Sequence, residues 1–311
     1  MNQWIVDSFR IVATPEAYLF DHPGHGEEPP AEAQSDVLLS GWAVRRTGET
    51  SEGWDFIQTH YGYTGWIRQR DLREFSREAL QARQNQGNWL RVLTPSLDLH
   101  GEPTVHGALL ETLPKNALVE ILQEEPRDHW RKVRSGSGTE GWTPEASLIR
   151  RADDDTFLLQ PADDPAWFGQ QAGQRVRTTG EETLRAGAVQ SALRYLGTQY
   201  RWGGKSPWGI DCSGLVFMSW LEQGILIYRD ADLRPGYPMH SISREALLPG
   251  DLIFFPGHVA MALGEGKYIH ATAYARTPWV TVNSLNPADP DYREDLAAKI
   301  TACGSLFGAE A

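Results

Sequence analysis

Residues 202–216 read Trp202-Gly203-Gly204-Lys205-Ser206-Pro207-Trp208-Gly209-Ile210-Asp211-Cys212-Ser213-Gly214-Leu215-Val216. An irregular Gly/Pro segment runs here into an apolar stretch, and a cysteine stands at the junction. Asp211 is a good helix N-cap, which puts Cys212 in the first turn. Unpaired N–H groups and the positive end of the helix dipole there favour a thiolate. From Ser213 to Gln223 apolar residues (Leu215, Val216, Phe217, Met218, Trp220, Leu221) fall almost all round, and Gly224 offers a C-cap. The expected element is a buried helix with a reactive tip; the plainer alternative is an inert buried cysteine.

A nucleophile needs a base. The run Gly250-Asp251-Leu252-Ile253-Phe254-Phe255-Pro256-Gly257-His258-Val259-Ala260-Met261-Ala262-Leu263 reads as two short strands with His258 opening the second, and Lys267-Tyr268-Ile269-His270-Ala271 as a third. With Gly264-Glu265-Gly266 as a three-residue loop, Leu263 lies opposite Lys267 and paired positions sum to 530. Even-numbered residues then share a face, so His258 and His270 sit diagonally on one side of the sheet. A cysteine, a histidine that takes its proton and a second polar residue that orients the first is the logic of papain-like nucleophilic catalysis.

These segments, Tyr200-Arg201-Trp202-Gly203-Gly204 through Asp211-Cys212-Ser213-Gly214, Leu248-Pro249-Gly250-Asp251, His258-Val259 and Tyr268-Ile269-His270-Ala271, resemble the NlpC/P60 family of bacterial cysteine peptidases over residues 181–311. The resemblance implies a papain-like α/β (α+β) fold and hydrolysis of murein stem peptides. It implies Cys212 as nucleophile, His258 as base and His270 as third residue. Tyr200 matches a family tyrosine beside the oxyanion hole, where a hydroxyl and the Cys212 backbone N–H could both donate.

Toward the N-terminus the chain repeats itself. Trp54 and Trp66 have the same spacing as Trp130 and Trp142, and Gly65-Trp66 precedes Leu72 as Gly141-Trp142 precedes Leu148. Short β-type runs and turn clusters suggest two small β-barrels, and both resemble bacterial SH3-like domains. A single larger all-β domain is the alternative. The expected division is an SH3-like domain at 1–80, a second at 87–150, a linker at 151–180 and the peptidase at 181–311. Residues 73–86 form a linker or short helix. In the 151–180 linker, Asp153-Asp154-Asp155, Pro161 to Pro165 and Gly173 suit a surface strap, and a helix is expected over 183–196.

Composition bounds the rest. The 311 residues are 41% hydrophobic with 12 Trp, and no apolar run is long enough to span a membrane. The first ten residues lack the basic and apolar regions of a secretory signal, so a cytoplasmic place in a bacterium is expected, with export of a processed form left open. Two cysteines, Cys212 and Cys303, make no disulfide framework. A net charge of −12 disfavours nucleic acid and anionic wall polymers as partners. His22 and His25 are too few for a metal site, and neither metal nor cofactor is expected. A monomer is expected.

The peptidase segment, with Tyr228-Arg229-Asp230-Ala231-Asp232 after the helix, is further similar to γ-D-glutamyl-L-diamino acid endopeptidases that carry two SH3-like domains. That likeness implies cleavage between γ-D-glutamate and the diamino acid in peptides with a free N-terminal L-alanine, as in peptidoglycan recycling. It implies substrate-binding roles for Asp211, Ser213, Arg229 and Asp230, for Tyr63 in Gly62-Tyr63-Thr64-Gly65-Trp66, and for Glu32, with Glu28 as its rival. Ala231 stands where those enzymes often carry serine, which removes a hydroxyl expected near the D-glutamate carboxylate. A secreted hydrolase of polymeric wall and a non-catalytic wall-binding protein are the alternatives.

Overall fold

The paired tryptophans occupy matching places in two successive β-rich copies. Trp54–Thr59 pairs antiparallel with Thr64–Arg68, setting Phe56 opposite Trp66; Trp130–Arg134 pairs with Glu140–Pro144, setting Lys132 opposite Trp142. Each Gly-Trp strand is followed by a 3-10 turn (Gln69–Asp71, Glu145–Ser147) and a closing strand (Leu72–Phe75, Leu148–Arg150). The closing strand returns to the first strand of its own copy, Phe9–Val12 or Trp89–Val92. The glycine before each tryptophan has one reason. A Cβ on Gly65 would lie 2.7 Å from Leu19 Cγ, and one on Gly141 would lie 3.0 Å from Leu99 Cβ. A hairpin side chain fills that space in both copies.

The structure is a computed structural model and describes residues 8–123, 125–160, 164 and 166–308. Its two units are Met1–Asp163 and Asp164–Ala311. In the first unit, one sheet has the order Thr64–Arg68, Trp54–Thr59, Ala43–Ser51, Phe9–Val12, Leu72–Phe75, beside the hairpin Glu16–Leu19 with Asp36–Leu39. The other has seven strands, ending in Leu109–Pro114 and Leu148–Arg150. Both orders are open at their ends, so the expected barrels are met as two open, repeated β units. The copies are joined by Trp42 Nε1 donating to Asn116 O at 3.0 Å and Leu118 N donating to Ser40 O at 2.8 Å.

The connecting segments depart from expectation. Ser76 caps the helix Arg77–Gln86 by accepting from Ala79 N, in keeping with a short helix. Residues 151–160, expected as a solvated strap, are instead packed into the first unit. Phe157 and Leu158 are buried, the latter beside Phe9, Ala43 and Leu80. Asp153 and Asp155 are not solvated: Arg83 and Arg151 meet Asp155, and Arg151 meets Asp153 at 2.7 Å, with every side chain at most 7 % exposed. Farther on, Ala166–Thr179 is helical and buries Trp167, Phe168 and Ala172. Residues 161–163 and 165 of the expected strap, with Pro161 and Pro165, and residues 1–7 lie outside the described residues.

The second unit sets the Cys212 helix against a six-stranded antiparallel sheet of order His240–Ile242, Ala302–Ser305, Leu252–Phe255, His258–Gly264, Lys267–Ala271, Val280–Ser284. All ten residues of Cys212–Leu221 are buried. Its neighbours are the helix Glu181–Leu193 and the strands His258–Gly264 and Lys267–Ala271. Each large apolar side chain buried there contributes about 1.5–3 kcal/mol. The helix expected over 183–196 thus runs two residues earlier at its start and ends at Leu193. Glu265 and Gly266 both take positive φ, 51° and 75°, so the hairpin closes with two residues rather than three. A bulge at Leu263 absorbs the difference, and Ala262 opposite Tyr268 and Met261 opposite Ile269 keep the sum of 530. Among the described residues no helix is long and apolar enough to cross a membrane.

Candidate active site

Asp211 is extended (φ −97°, ψ 179°) and its Oδ1 accepts the Gly214 N–H at 2.5 Å, which starts the helix with Cys212 as its first residue. Gly214 lets that turn lie on the Gly203-Gly204 backbone, since a Cβ there would come within 2.2 Å of Gly204 O. Asp211 Oδ2 in turn accepts the Gly203 N–H at 2.8 Å. Residues 203–214 are therefore one knot, tied by a carboxylate on both sides of the cysteine.

Arg229 completes it. The residue is 2 % exposed, and its guanidinium reaches Asp211 Oδ1 at 3.2 Å and Oδ2 at 3.1 Å, Ser213 Oγ at 2.7 Å and Gly203 O at 3.0 Å. The Ser213 hydroxyl also donates to Asp211 Oδ1 at 3.3 Å. A buried carboxylate needs such a partner. Asp211 and Ser213, expected to bind substrate, are both engaged here with Arg229 and the loop. Asp230 is half-buried and lines a small pocket of ≈ 10 Å³ with Tyr228, Asp232 and Arg234. That pocket reaches Val216 on the Cys212 helix and Val259 on the strand of His258.

The thiol faces several donors, the Ser213 N–H among them. The backbone N–H of Val259, next to His258, hydrogen-bonds the Cys212 sulfur, and so does the Tyr200 hydroxyl. Tyr200 is half-buried and is held from behind, its N–H donating to Pro278 O at 2.8 Å. The adjoining Gly197-Thr198 backbone pairs with Val280. Burial raises the phenol of Tyr200 well above its ordinary value, so it stays a donor.

His258 Nε2 and His270 Nδ1 are 2.8 Å apart, and the rings meet edge to face. Beyond them, His270 Nε2 lies 2.9 Å from Asn283 Oδ1, while Asn283 Nδ2 donates to Asp291 O at 2.9 Å. Asn283 did not emerge from the sequence reading, which stopped at the third strand. The signal for it is the alternation of Val280-Thr281-Val282-Asn283: Asn283 pairs with Tyr268 and Thr281 with His270, so Asn283 shares the face of His270.

Electrostatics correct one expectation. Burial pushes the Cys212 thiol up to about 11, the neighbouring Asp211 charge adds to this, and the Val259 N–H and Arg229 only partly offset it. The helix terminus was expected to lower that value, but desolvation outweighs it and Arg229 faces Asp211 first. Burial also pulls His258 down to about 3, with His270 and Arg293 adding, and His270 down to about 4 against the Asn283 bond. Burial thus favours the neutral forms of the thiol and of both imidazoles.

Tyr63 and Glu32 belong to the first unit. Tyr63 is half-buried, stacked on Tyr61 at 6.5 Å, with its N–H on Thr59 Oγ1 at 2.9 Å. Glu32 is exposed and accepts the His22 N–H at 3.1 Å; its rival Glu28 is exposed as well. His25 stands near Glu52.

A thiol and two linked imidazoles on a helix tip and an antiparallel sheet define a cysteine peptidase. Residues 197–288 match the NlpC/P60 family. Over 279 residues the chain is 34% identical to dipeptidyl-peptidase 6 of Lysinibacillus sphaericus, covering 88% of this chain and 92% of that protein. It is 27% identical over 247 residues to the gamma-D-glutamyl-L-lysine dipeptidyl-peptidase of Bacillus cereus, covering 76% of this chain and 63% of that one. A crystal structure of an NlpC/P60 family protein from Bacillus cereus shares the fold, with a TM-score of 0.66 at 20% identity over 95% of this chain and 98% of its own. The chain belongs to the NlpC/P60 family of peptidoglycan hydrolases and endopeptidases.

Proposed function

We propose that the chain hydrolyses the bond between γ-D-glutamate and the L-diamino acid in murein peptides that begin with a free L-alanine. The observation that carries this reading is the 34% identity to a dipeptidyl-peptidase, which extends far beyond residues 197–288 into the β-rich unit. An enzyme that counts two residues from a chain end must read the terminal amine. The B. cereus relative, named for the γ-D-glutamyl-L-lysine bond, supports the bond chosen.

In this reaction His258 takes the Cys212 proton as the sulfur attacks the γ-carbonyl carbon. The resulting oxyanion accepts from the Tyr200 hydroxyl and the Cys212 N–H. Collapse breaks the C–N bond, His258 returns the proton to the departing amine, and water then hydrolyses the thioester. The imidazole is read as a base rather than as half of a standing ion pair, because burial favours the neutral forms of both thiol and ring.

The two β-rich copies are read as SH3-like modules on their repeated Gly-Trp hairpins and closing strands. Tyr63 and Glu32, with Asp211, are assigned to recognition of the amine, and Ser213, Arg229 and Asp230 to the remainder of the peptide. The acidic charge of −12 favours small released peptides over anionic wall polymer, and so a place in intracellular peptide recycling. The test is the full chain on L-Ala-γ-D-Glu-diaminopimelate, its N-acetyl form and whole sacculi. Release of L-Ala-γ-D-Glu from the free peptide, with kcat/KM lower by roughly 10²-fold or more on the acetyl form, is expected, because an acyl group adds bulk and removes the charge that the acids assigned to the amine would meet. Equal rates on both peptides, or preference for sacculi, would overturn it.

A further inference from the structure

The imidazole pair works only in one arrangement of its protons, and that arrangement is dictated from outside the pair. Asp291 O is a carbonyl and can only accept, so the Asn283 side-chain nitrogen must face it, as it does at 2.9 Å. The Asn283 oxygen is thereby turned to His270 Nε2, 2.9 Å away. An oxygen there can only accept, which requires the His270 proton on Nε2 and a lone pair on Nδ1. That lone pair faces His258 Nε2 at 2.8 Å and draws the His258 proton to that nitrogen. The nitrogen left bare on His258 is Nδ1.

We propose that Asn283 is a positioning residue that sets the tautomers of both His270 and His258, so that His258 presents Nδ1 as a lone pair able to take the thiol proton. This rests on the reading of His258 as the base. His270 is 0 % exposed, so no solvent can replace the amide oxygen if it is lost. The opposite tautomer would set two lone pairs against each other at the Asn283 contact and two N–H groups, or a reversed bond, at the His258 contact. The amide itself is braced. Asp291 O also accepts the Ser284 N–H at 3.1 Å, and Lys267 Nζ holds Asp291 Oδ1 at 2.7 Å and Asp289 Oδ2 at 2.9 Å.

The experiment is ¹⁵N-histidine labelling of the full chain and two-bond nitrogen–proton correlation spectra at neutral pH, with the two rings assigned through His258→Gln and His270→Gln. Both rings of the wild type are expected to carry the proton on Nε2. Asn283→Leu should move the His258 proton to Nδ1 and lower kcat by roughly 10-fold or more, with KM within about twofold, a loss felt in the transition state. A wild-type proton on Nδ1 of either ring overturns the proposal without recourse to any variant, so the test survives a variant that fails to fold. A folded Asn283→Leu protein with unchanged tautomers, or one that changes KM alone, overturns it too. The spectra need no substrate. Correct tautomers in a protein that leaves the free peptide uncut would sink the proposed function and leave this inference standing.

Discussion

His258 and His270 meet through one ring nitrogen each, Nε2 to Nδ1 at 2.8 Å, so neither imidazole can turn without the other. His270→Ala should therefore lower kcat by roughly 10²-fold with little change in KM, because it frees the His258 ring without touching the peptide pocket. Steady-state kinetics on the free tripeptide checks this, and an unchanged kcat would make His270 purely structural.

Cys212→Ala should abolish turnover and leave the fold intact, as judged by far-UV circular dichroism and thermal unfolding, because the site on the helix is already capped by Asp211. Cys212→Ser should be inactive as well. Turnover by the serine variant near the wild-type rate would remove the thiol from the mechanism.

The pH profile should be displaced from that of an ordinary histidine. With His258 near 3 and His270 near 4, both rings stay neutral as pH falls from 6.5 toward 4, so the acid limb of kcat/KM should lie below pH 5. Stability follows the same groups. Their folded values lie below the unfolded value of about 6.5, so the unfolded chain binds protons that the native one refuses. These two groups therefore make stability fall between about pH 6.5 and 3, and add nothing above that window. With the thiol near 11, iodoacetamide should label Cys212 slowly at pH 7 and faster toward pH 10. A fast, pH-independent reaction from pH 5 upward would reveal a standing thiolate instead.

Arg229→Met should destabilise the protein by about 3–5 kcal/mol, since it leaves the Asp211 carboxylate buried without its cation. Urea unfolding measures the loss. Adding Asp211→Asn to that variant should return part of it, and a fully additive double variant would show that the two groups are not coupled.

Tyr63→Phe and Glu32→Ala should narrow the preference for free over acetylated peptide while leaving the labelling of Cys212 unchanged. Discrimination that survives both changes would restrict the β-rich unit to roles other than reading the amine.

What the chain reveals as a string of letters follows from how local each signal is. The helix start at Asp211-Cys212 and the shared face of His258 and His270 rest on neighbours and on a two-residue period, and both could be read directly. The repeat was equally open, through Trp54/Trp66 and Trp130/Trp142. Asn283 was hidden because its meaning depends on a fourth strand and on a carbonyl at Asp291. Asp153 and Asp155 read as solvated acids because the arginine that neutralises Asp155 from outside the segment, Arg83, is 72 residues away in the chain. The thiol went astray for a related reason: a helix terminus has a sign that sequence shows, whereas desolvation depends on everything packed around it.

The strand Val280–Ser284 is an edge strand of its sheet, yet both halves of the chemistry lean on it. Asn283 ends the imidazole chain at one end, and Val280 with Pro278 carries the Gly197–Tyr200 backbone at the other. A margin with one strand partner is where local fraying begins. Warming should thus extinguish peptide cleavage at a temperature below the one that melts the buried helix, and catalysis becomes the more sensitive thermometer of this domain.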